Sequence, residues 1–325
     1  MKKKMTLLGS ALLSSAIVFG AAGTAQADDF PSKPLTLVVG WGAGGSTDIQ
    51  ARVLADIMTE ELGQPVNVVN QPGAGGGVAL ARLANSRDEG YTFVFGTSMT
   101  ITFGPLSTET TYDLDDFRYV AGVTLGQSAI VTGEDRPFGD SWEDLVAYAQ
   151  ENPGTSYATQ TALDRMIIEY IAQQEGLDLR IVPTSGGAGM APLILSGDVD
   201  FAYSGGTHSG YADTGEMPVL LSLAEDRLVA FPDAPTLQEA GYDINAAEIR
   251  VAMVPQNTPD AHVERLAEAL KAATEDERFI EITEERILMP VTWMPEDEVT
   301  QTLSDQVEGY KALIEELGGL PGEDE

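Results

Sequence analysis

Leu35-Thr36-Leu37-Val38-Val39-Gly40-Trp41-Gly42-Ala43-Gly44-Gly45-Ser46-Thr47-Asp48 runs from an apolar segment through a glycine-rich turn into the polar start of an amphipathic one. The apolar run reads as a buried strand, and Ser46-Thr47-Asp48 reads as the opening of a helix. Such a junction suits an anion. Its glycines let backbone N–H groups converge without Cβ interference, and the helix start adds unpaired donors and the positive end of its dipole. Gly40 to Gly45 also satisfies G-x-G-x-x-G between a strand and a helix, the pattern of a dinucleotide site. That site needs a carboxylate at the end of the second strand, where Val66-Asn67-Val68-Val69 delivers Asn70 and Gln71 instead. A P-loop needs a lysine after its glycines, and Gly45 is followed by Ser46 and Thr47. Both nucleotide readings therefore lose ground to a different anion.

Working outward, Lys2, Lys3 and Lys4 precede an apolar run from about Leu7 to Gly20, followed by Ala25-Gln26-Ala27. This pattern is that of a secretory signal peptide over residues 1–27, cleaved after Ala27, which places the mature chain in the periplasm. The apolar core is short for a membrane span and is interrupted by Ser10, Ser14 and Ser15. No direct membrane insertion is expected once it is removed. The chain has no cysteine, which removes disulfides, thiolate catalysis and thiolate-bound metals.

The 325 residues carry 18 Lys and Arg against 51 Asp and Glu, a formal net charge of −33. The three leader lysines are the only charges before Ala27, so the mature chain is more acidic still, with Lys33, Lys271 and Lys311 as its lysines. Such a surface repels nucleic acid and anionic lipid, so neither is a partner. A hydrophobic content of 43% argues for a folded core, and the acid excess reads as a halophilic acidic surface, suited to high salt. An anionic ligand must then be held by local dipoles against an unfavourable global field.

Strand and helix patterns alternate along the chain, which predicts an α/β protein with parallel sheets covered on both faces. In the first unit, strands are expected at Leu35–Val39, Val66–Val69 and Thr92–Phe95, with helices over 47–62 and 78–85. Their strand ends carry small polar loops at Gly44 to Asp48, Gly73 to Gly77 and Gly96 to Ser98. Ligands of such sheets sit at the carboxyl ends of the strands, so these loops are expected to converge on one site. A second unit has strands near residues 128–132, 155–158, 179–183 and 201–203, with loops Thr159-Gln160-Thr161, Thr184-Ser185-Gly186-Gly187 and Ser204-Gly205-Gly206-Thr207. Strands near Ile249 to Val254 and Val291, with helices over 259–274 and 296–317, are expected to return to the first unit. The division is thus 28–125 and 246–325 for one domain and 126–245 for the other, with a ligand cleft between.

An ordered series of segments carries a family resemblance: Phe30-Pro31-Ser32-Lys33-Pro34, Gly44-Gly45-Ser46-Thr47-Asp48, Leu62-Gly63-Gln64-Pro65-Val66, Asn70-Gln71-Pro72-Gly73-Ala74-Gly75-Gly76 and Asp88-Glu89-Gly90-Tyr91-Thr92. Gly197-Asp198-Val199-Asp200, Asp233-Ala234-Pro235-Thr236-Leu237 and Pro255-Gln256-Asn257-Thr258-Pro259 continue it over nearly the whole mature chain. It resembles the periplasmic solute receptors of tripartite tricarboxylate transporters, the Bug proteins. The resemblance implies a bilobed type II periplasmic-binding-protein fold, two doubly wound domains with a carboxylated solute between them, and delivery to integral membrane transporter subunits; the chain is expected to be a monomer. By position, Gly44, Gly45, Ser46, Thr47 and Asp48 with Gly75, Gly76 and Gly77 would grip one carboxylate, and Thr97 and Ser98 would line the cleft. The second lobe departs from the family's pattern, with Thr184-Ser185-Gly186 in place of Tyr-Lys-Gly and changed loops at Thr159 to Thr161 and at Tyr203 to His208. Its candidates are Thr159, Gln160, Thr161, Ser185, Gly186, Ser204 and His208.

Single residues keep a second reading. Ser46 and Thr47 either cap the helix or touch ligand, Asp48 either complements the dipole or lines the site, and His208 is either a ligand contact or a loop residue. His262 is expected on a helix surface, and Trp41 and Trp142 in packing. Two histidines without cysteine give no metal site, and no cofactor is implied. No nucleophile with its base emerges, so the chain reads as a receptor and not an enzyme. Alternatives are a ligand-presenting partner of a membrane sensor kinase and an exported hydrolase or lyase acting on a carboxylate. Arg52, Arg118, Arg165 and Arg250 are the arginines that could project into the cleft.

Overall fold

A computed structural model describes residues 30–320 except Ser185 and Asn245. The expected leader over residues 1–27, with its cleavage after Ala27, lies outside the described residues, as does the candidate Ser185.

The first sheet begins with β1 (Leu35–Val39), α1 (Ser46–Leu62), β2 (Val66–Asn70), α2 (Gly77–Ala84) and β3 (Thr92–Thr97). β2 and β3 both pair with β1 in parallel. Leu35, Leu37, Val39, Phe93 and Phe95 are buried on one face against Leu54 and Met58 of α1. α1 ends at Gly63, whose left-handed φ of 67° lets its N–H reach the Thr59 carbonyl. Two short helices, α3 (Ser98–Thr102) and α4 (Gly104–Ser107), lead to β4 (Phe117–Leu125).

The chain then enters the second sheet through β5 (Ala129–Thr132), α5 (Trp142–Glu151), β6 (Thr155–Thr159), α6 (Ala162–Glu175), β7 (Leu179–Pro183), α7 (Gly187–Ser196), β8 (Phe201–Ser204) and β9 (Val219–Ser222). It returns as β10 (Ile249–Pro255), α8 (Asp260–Thr274), α9 (Glu277–Ile280), β11 (Val291–Pro295) and α10 (Glu296–Leu317). The strand orders are β11-β4-β10-β3-β1-β2 and β7-β6-β8-β5-β9. The molecule is a mixed α/β bilobed protein.

Three sequence expectations are corrected. The sheets are mixed, because β10 runs antiparallel to both β3 and β4, and β5 antiparallel to both β8 and β9. Strands that carry the chain between sheets enter from the far end and so oppose the strands joined by helical crossovers. β4 and β9 have no counterpart in the sequence reading: Arg118 and Gly122 interrupt the apolar run of β4, and β9 is four residues long. His262 is buried and not exposed, because its ring stacks on Phe30 at 3.9 Å and its Nδ1 lies 2.7 Å from the Glu89 carbonyl.

Between β4 and β5 and immediately before β10, the chain crosses between the sheets twice, side by side. The Gly126 N–H donates to the Glu248 carbonyl at 2.5 Å, and a Cβ on Gly126 would stand 2.7 Å from Glu248 Cβ and 3.0 Å from its carbonyl oxygen. Backbone cannot yield as a flexible side chain does, so an added methyl must push the crossings apart. Gly126→Ala is expected to cost about 1–3 kcal/mol of stability, read as a lower urea midpoint at unchanged slope. A midpoint equal to that of the parent would show that the crossings are not tightly apposed.

Candidate functional site

Where the strand ends of the two sheets face each other they enclose a cavity of about 140 Å³. From the first sheet it is lined by the β1–α1 turn from Trp41 to Thr47, by Thr97 at the end of β3 and by Met99. Gln160 and Thr161 after β6, Gly186 and Gly187 after β7, and Tyr203, Gly205 and Thr207 at β8 line it from the second. Glu248 and Arg250, at the return crossing, complete the wall. A wider recess of about 600 Å³ adjoins it, sharing Met99, Gln160 and Thr161 and continuing past Gly75, Gly77, Val78 and Phe103.

The β1–α1 turn is held in shape from behind. Asp48, almost fully buried, accepts from the Gly44 N–H at 2.8 Å, from Arg52 at 2.8 and 3.0 Å and from Asn70 at 2.8 Å. Asn70 also donates to the Trp41 carbonyl at 3.0 Å. Burial opposes ionisation of Asp48, but the hydrogen bonds from Arg52, Gly44 and Asn70 outweigh it and hold its carboxyl below the usual range. The first bond within α1 runs from the Ile49 N–H to the Gly45 carbonyl, so the N–H groups of its first turn, at Ser46 and Thr47, have no helical acceptor and belong to cavity-lining residues.

Two further helices begin at the cavity. Thr161 caps α6, with its Oγ1 accepting the Asp164 N–H at 3.2 Å, and Gly186 caps α7 at a φ of 109° that glycine alone adopts readily. Asp164 is buried, and desolvation pushes its carboxyl up to about 6 against hydrogen bonds from Thr159, Thr161 and Gln160. It thereby shapes the β6–α6 loop from below, as Asp48 shapes the β1–α1 turn. Gln160 Nε2 donates to the Tyr203 carbonyl at 2.6 Å, tying that loop to β8.

At the cavity wall lies a buried ion pair. Arg250 Nη1 is 2.8 Å from Glu248 Oε1, with the two side chains 4% and 3% exposed. Glu248 Oε2 accepts from Ser128 Oγ at 3.2 Å, and Ser128 Oγ is 3.0 Å from the Tyr203 hydroxyl. Burial, and then the charge of Glu248, raise the Tyr203 phenol well above its ordinary value. Arg250 Nη2 reaches Ser46 Oγ and the Gly205 carbonyl, both at 3.4 Å, and so bridges the two sheets at long range.

Of the residues singled out in the sequence, Gly45, Ser46, Thr47, Thr97, Gln160, Thr161 and Gly186 line the cavity. Gly75, Gly77 and Thr159 line the adjoining recess. The two glycine loops of the first lobe therefore face different compartments, because Gly40 backs directly onto Gly76, whose Cα lies 2.8 Å from where a Gly40 Cβ would stand. Gly44 is an exposed residue of the turn that lines neither space, and Gly76, Asp48, Ser98, Ser204 and His208 are buried behind the walls. Ser98 Oγ accepts from the Ile249 N–H at 3.2 Å, and Ser204 Oγ accepts from the His208 N–H at 3.2 Å. His208 is fully buried, with its Nδ1 2.9 Å from Ser204 Oγ and its ring 5.3 Å from that of Phe231. Among the four candidate arginines, Arg52 pairs with Asp48, Arg118 with Glu296 and Asp260, and Arg165 with Glu169. Arg250 is the one at the cavity. Trp41, Met99, Tyr203, Thr207 and Glu248 were not singled out as site residues, and Thr207 with Tyr203 sits beside the predicted Ser204.

The family model described as the tripartite tricarboxylate transporter family receptor matches residues 50–319. A protein encoded in the gbd 5′ region of Cupriavidus necator is 31% identical, over 90% of this chain and 90% of its own. The solved periplasmic binding protein BugD is 24% identical with a TM-score of 0.79, covering 89% of this chain and 99% of its own. A protein of R. palustris solved with adipate is 25% identical with a TM-score of 0.78, over 89% of this chain and 99% of its own.

Burial lowers the His208 imidazole to about 3. An unfolded histidine protonates near 6.5. Below that pH the unfolded chain gains a proton that the folded chain refuses, so this residue removes stability as pH falls from about 6.5 toward 3. His208→Gln is expected to lose less stability than the parent between pH 7 and pH 5 in urea unfolding. Equal losses would mean that the ring titrates normally within the fold.

Proposed function

The chain belongs to the tripartite tricarboxylate transporter receptor family, and we propose that it captures a small carboxylated solute in the cavity of about 140 Å³ and delivers it to the transporter's integral membrane subunits. The observation that carries this reading is the composition of the cavity wall, where the starts of three helices and the Arg250 guanidinium come together. Helix-start N–H groups, hydroxyls and one arginine suit a carboxylate oxygen by geometry and by charge. The R. palustris protein solved with adipate supports a carboxylate as the ligand chemistry.

In this reading Gly45, Ser46, Thr47, Thr97, Gln160, Thr161 and Gly186 contact the solute directly, and Asp48 and Asp164 shape the loops that present them. Residues 28–125 with 246–325 form one lobe and 126–245 the other, so closure turns on the crossings at Gly126 and Glu248. The chain acts as an exported monomer in the periplasm. It holds its solute without chemistry: His208 is turned toward Phe231, and Glu248 is engaged by Arg250 and Ser128, so neither stands as a base beside a cavity nucleophile.

Titration calorimetry with four-carbon to six-carbon mono- and dicarboxylates, followed by chromatography of the recovered ligand, tests both halves of the reading. Micromolar or tighter binding with the ligand recovered unchanged is the expected result. Recovery of a chemically altered ligand, or no binding by any carboxylate, contradicts it.

A further inference from the structure

The Arg250–Glu248 pair has more hydrogen-bonding capacity than the protein uses. The guanidinium carries five N–H donors, and a carboxylate accepts at about four lone-pair sites. Arg250 Nε is buried with no hydrogen-bond partner, and Nη2 has only its two contacts of 3.4 Å. Glu248 Oε1 stands 2.8 Å from Nη1 without a well-aligned hydrogen bond, leaving the Ser128 bond to Oε2 as the side chain's good one. Unmet polar capacity at this depth is costly, and it is cheapest to tolerate where a ligand supplies the missing partners.

We infer that Glu248 and Arg250 read the ligand's charge pattern and select a 2-amino carboxylate over a dicarboxylate. This rests on the reading of the cavity as the solute site. Three physical constraints lead there. A ligand that brings a carboxylate alone leaves a net negative charge buried beside Glu248, and a second carboxylate set against Glu248 is repelled at low dielectric. An ammonium on the ligand neutralises that charge and supplies the donor that Glu248 Oε1 lacks, while the ligand carboxylate takes the N–H groups of Arg250 and of the α1 start. Because Glu248 and Arg250 touch one another at 2.8 Å, the groups they receive sit on neighbouring carbons of the ligand.

Calorimetry with one carbon skeleton separates the terms: L-2-aminobutyrate, L-2-hydroxybutyrate, butyrate and succinate, each against the parent protein and against Glu248→Gln. The parent is expected to bind L-2-aminobutyrate at least about 100-fold more tightly than butyrate or succinate and about tenfold more tightly than L-2-hydroxybutyrate. In folded Glu248→Gln, checked by circular dichroism, the preference for the amine over butyrate is expected to fall to within about threefold. Butyrate, L-2-hydroxybutyrate or succinate binding the parent as tightly as the amine overturns the inference while leaving a carboxylate receptor standing. A preference that survives in folded Glu248→Gln overturns it too. Binding of none of the four to the parent overturns it together with the receptor reading. If the variant does not fold, the ranking on the parent alone still decides.

Discussion

Glu248 is held twice, and the geometry of the cleft depends on both holds. Its carbonyl receives the Gly126 N–H across the paired chain crossings, and its carboxylate meets Arg250 at the cavity wall. The backbone that sets the approach of one sheet to the other is thus continuous with the side chain that sets the charge of the space between them. Two residues further along, Arg250 stands in β10, an interior strand flanked by β3 and β4. A charge placed on so rigid an element keeps its position when loops around it move.

Electrostatics in this molecule operate on two scales that act in opposite directions. A net charge of −33 opposes the approach of any anion, but beyond about 10 Å that field is largely screened at 0.1 M salt. Within contact distance, helix starts are each worth roughly 0.3–1 kcal/mol to an anion, and up to about 2 when partly buried. A well-formed charge-assisted bond from an arginine adds about 1.5–3 kcal/mol. At the cavity wall Asp48 faces away and organises the turn's donors, its carboxylate engaged by Arg52 and Asn70. The acid that does face the cavity, Glu248, comes with its own counter-ion.

Much of the fold is legible in the sequence because its elements are locally determined. The β1–α1 junction declares itself by an apolar run, a glycine turn and a helix start. What escapes is decided by tertiary context. β4 is a central strand despite Arg118 and Gly122, since its neighbours β10 and β11 supply the pairing that its own pattern does not announce. The small polar loops at strand ends put Gly45 to Thr47, Gln160, Thr161 and Gly186 on the cavity wall. Sequence alone does not rank Arg250 above Arg118, which meets Glu296 and Asp260 only through the fold, although Asp48 and Glu169, each four residues from Arg52 and Arg165, do offer those two a helical partner. Nor does it reveal that Gly76 backs onto Gly40 and so places the second glycine loop on the far side of a wall. His208 likewise carries no local sign of the burial that Phe231 imposes on it.

The most direct measurement is the crystal structure of the protein with a bound carboxylate. The ligand carboxylate is expected within hydrogen-bonding distance of the Ser46 or Thr47 N–H and of the Arg250 guanidinium, enclosed between the β1–α1 turn and the Gly186–Gly187 start of α7. Ligand density confined to the recess beside Gly75, Val78 and Phe103, with the space between Ser46 and Arg250 holding solvent, would contradict the account.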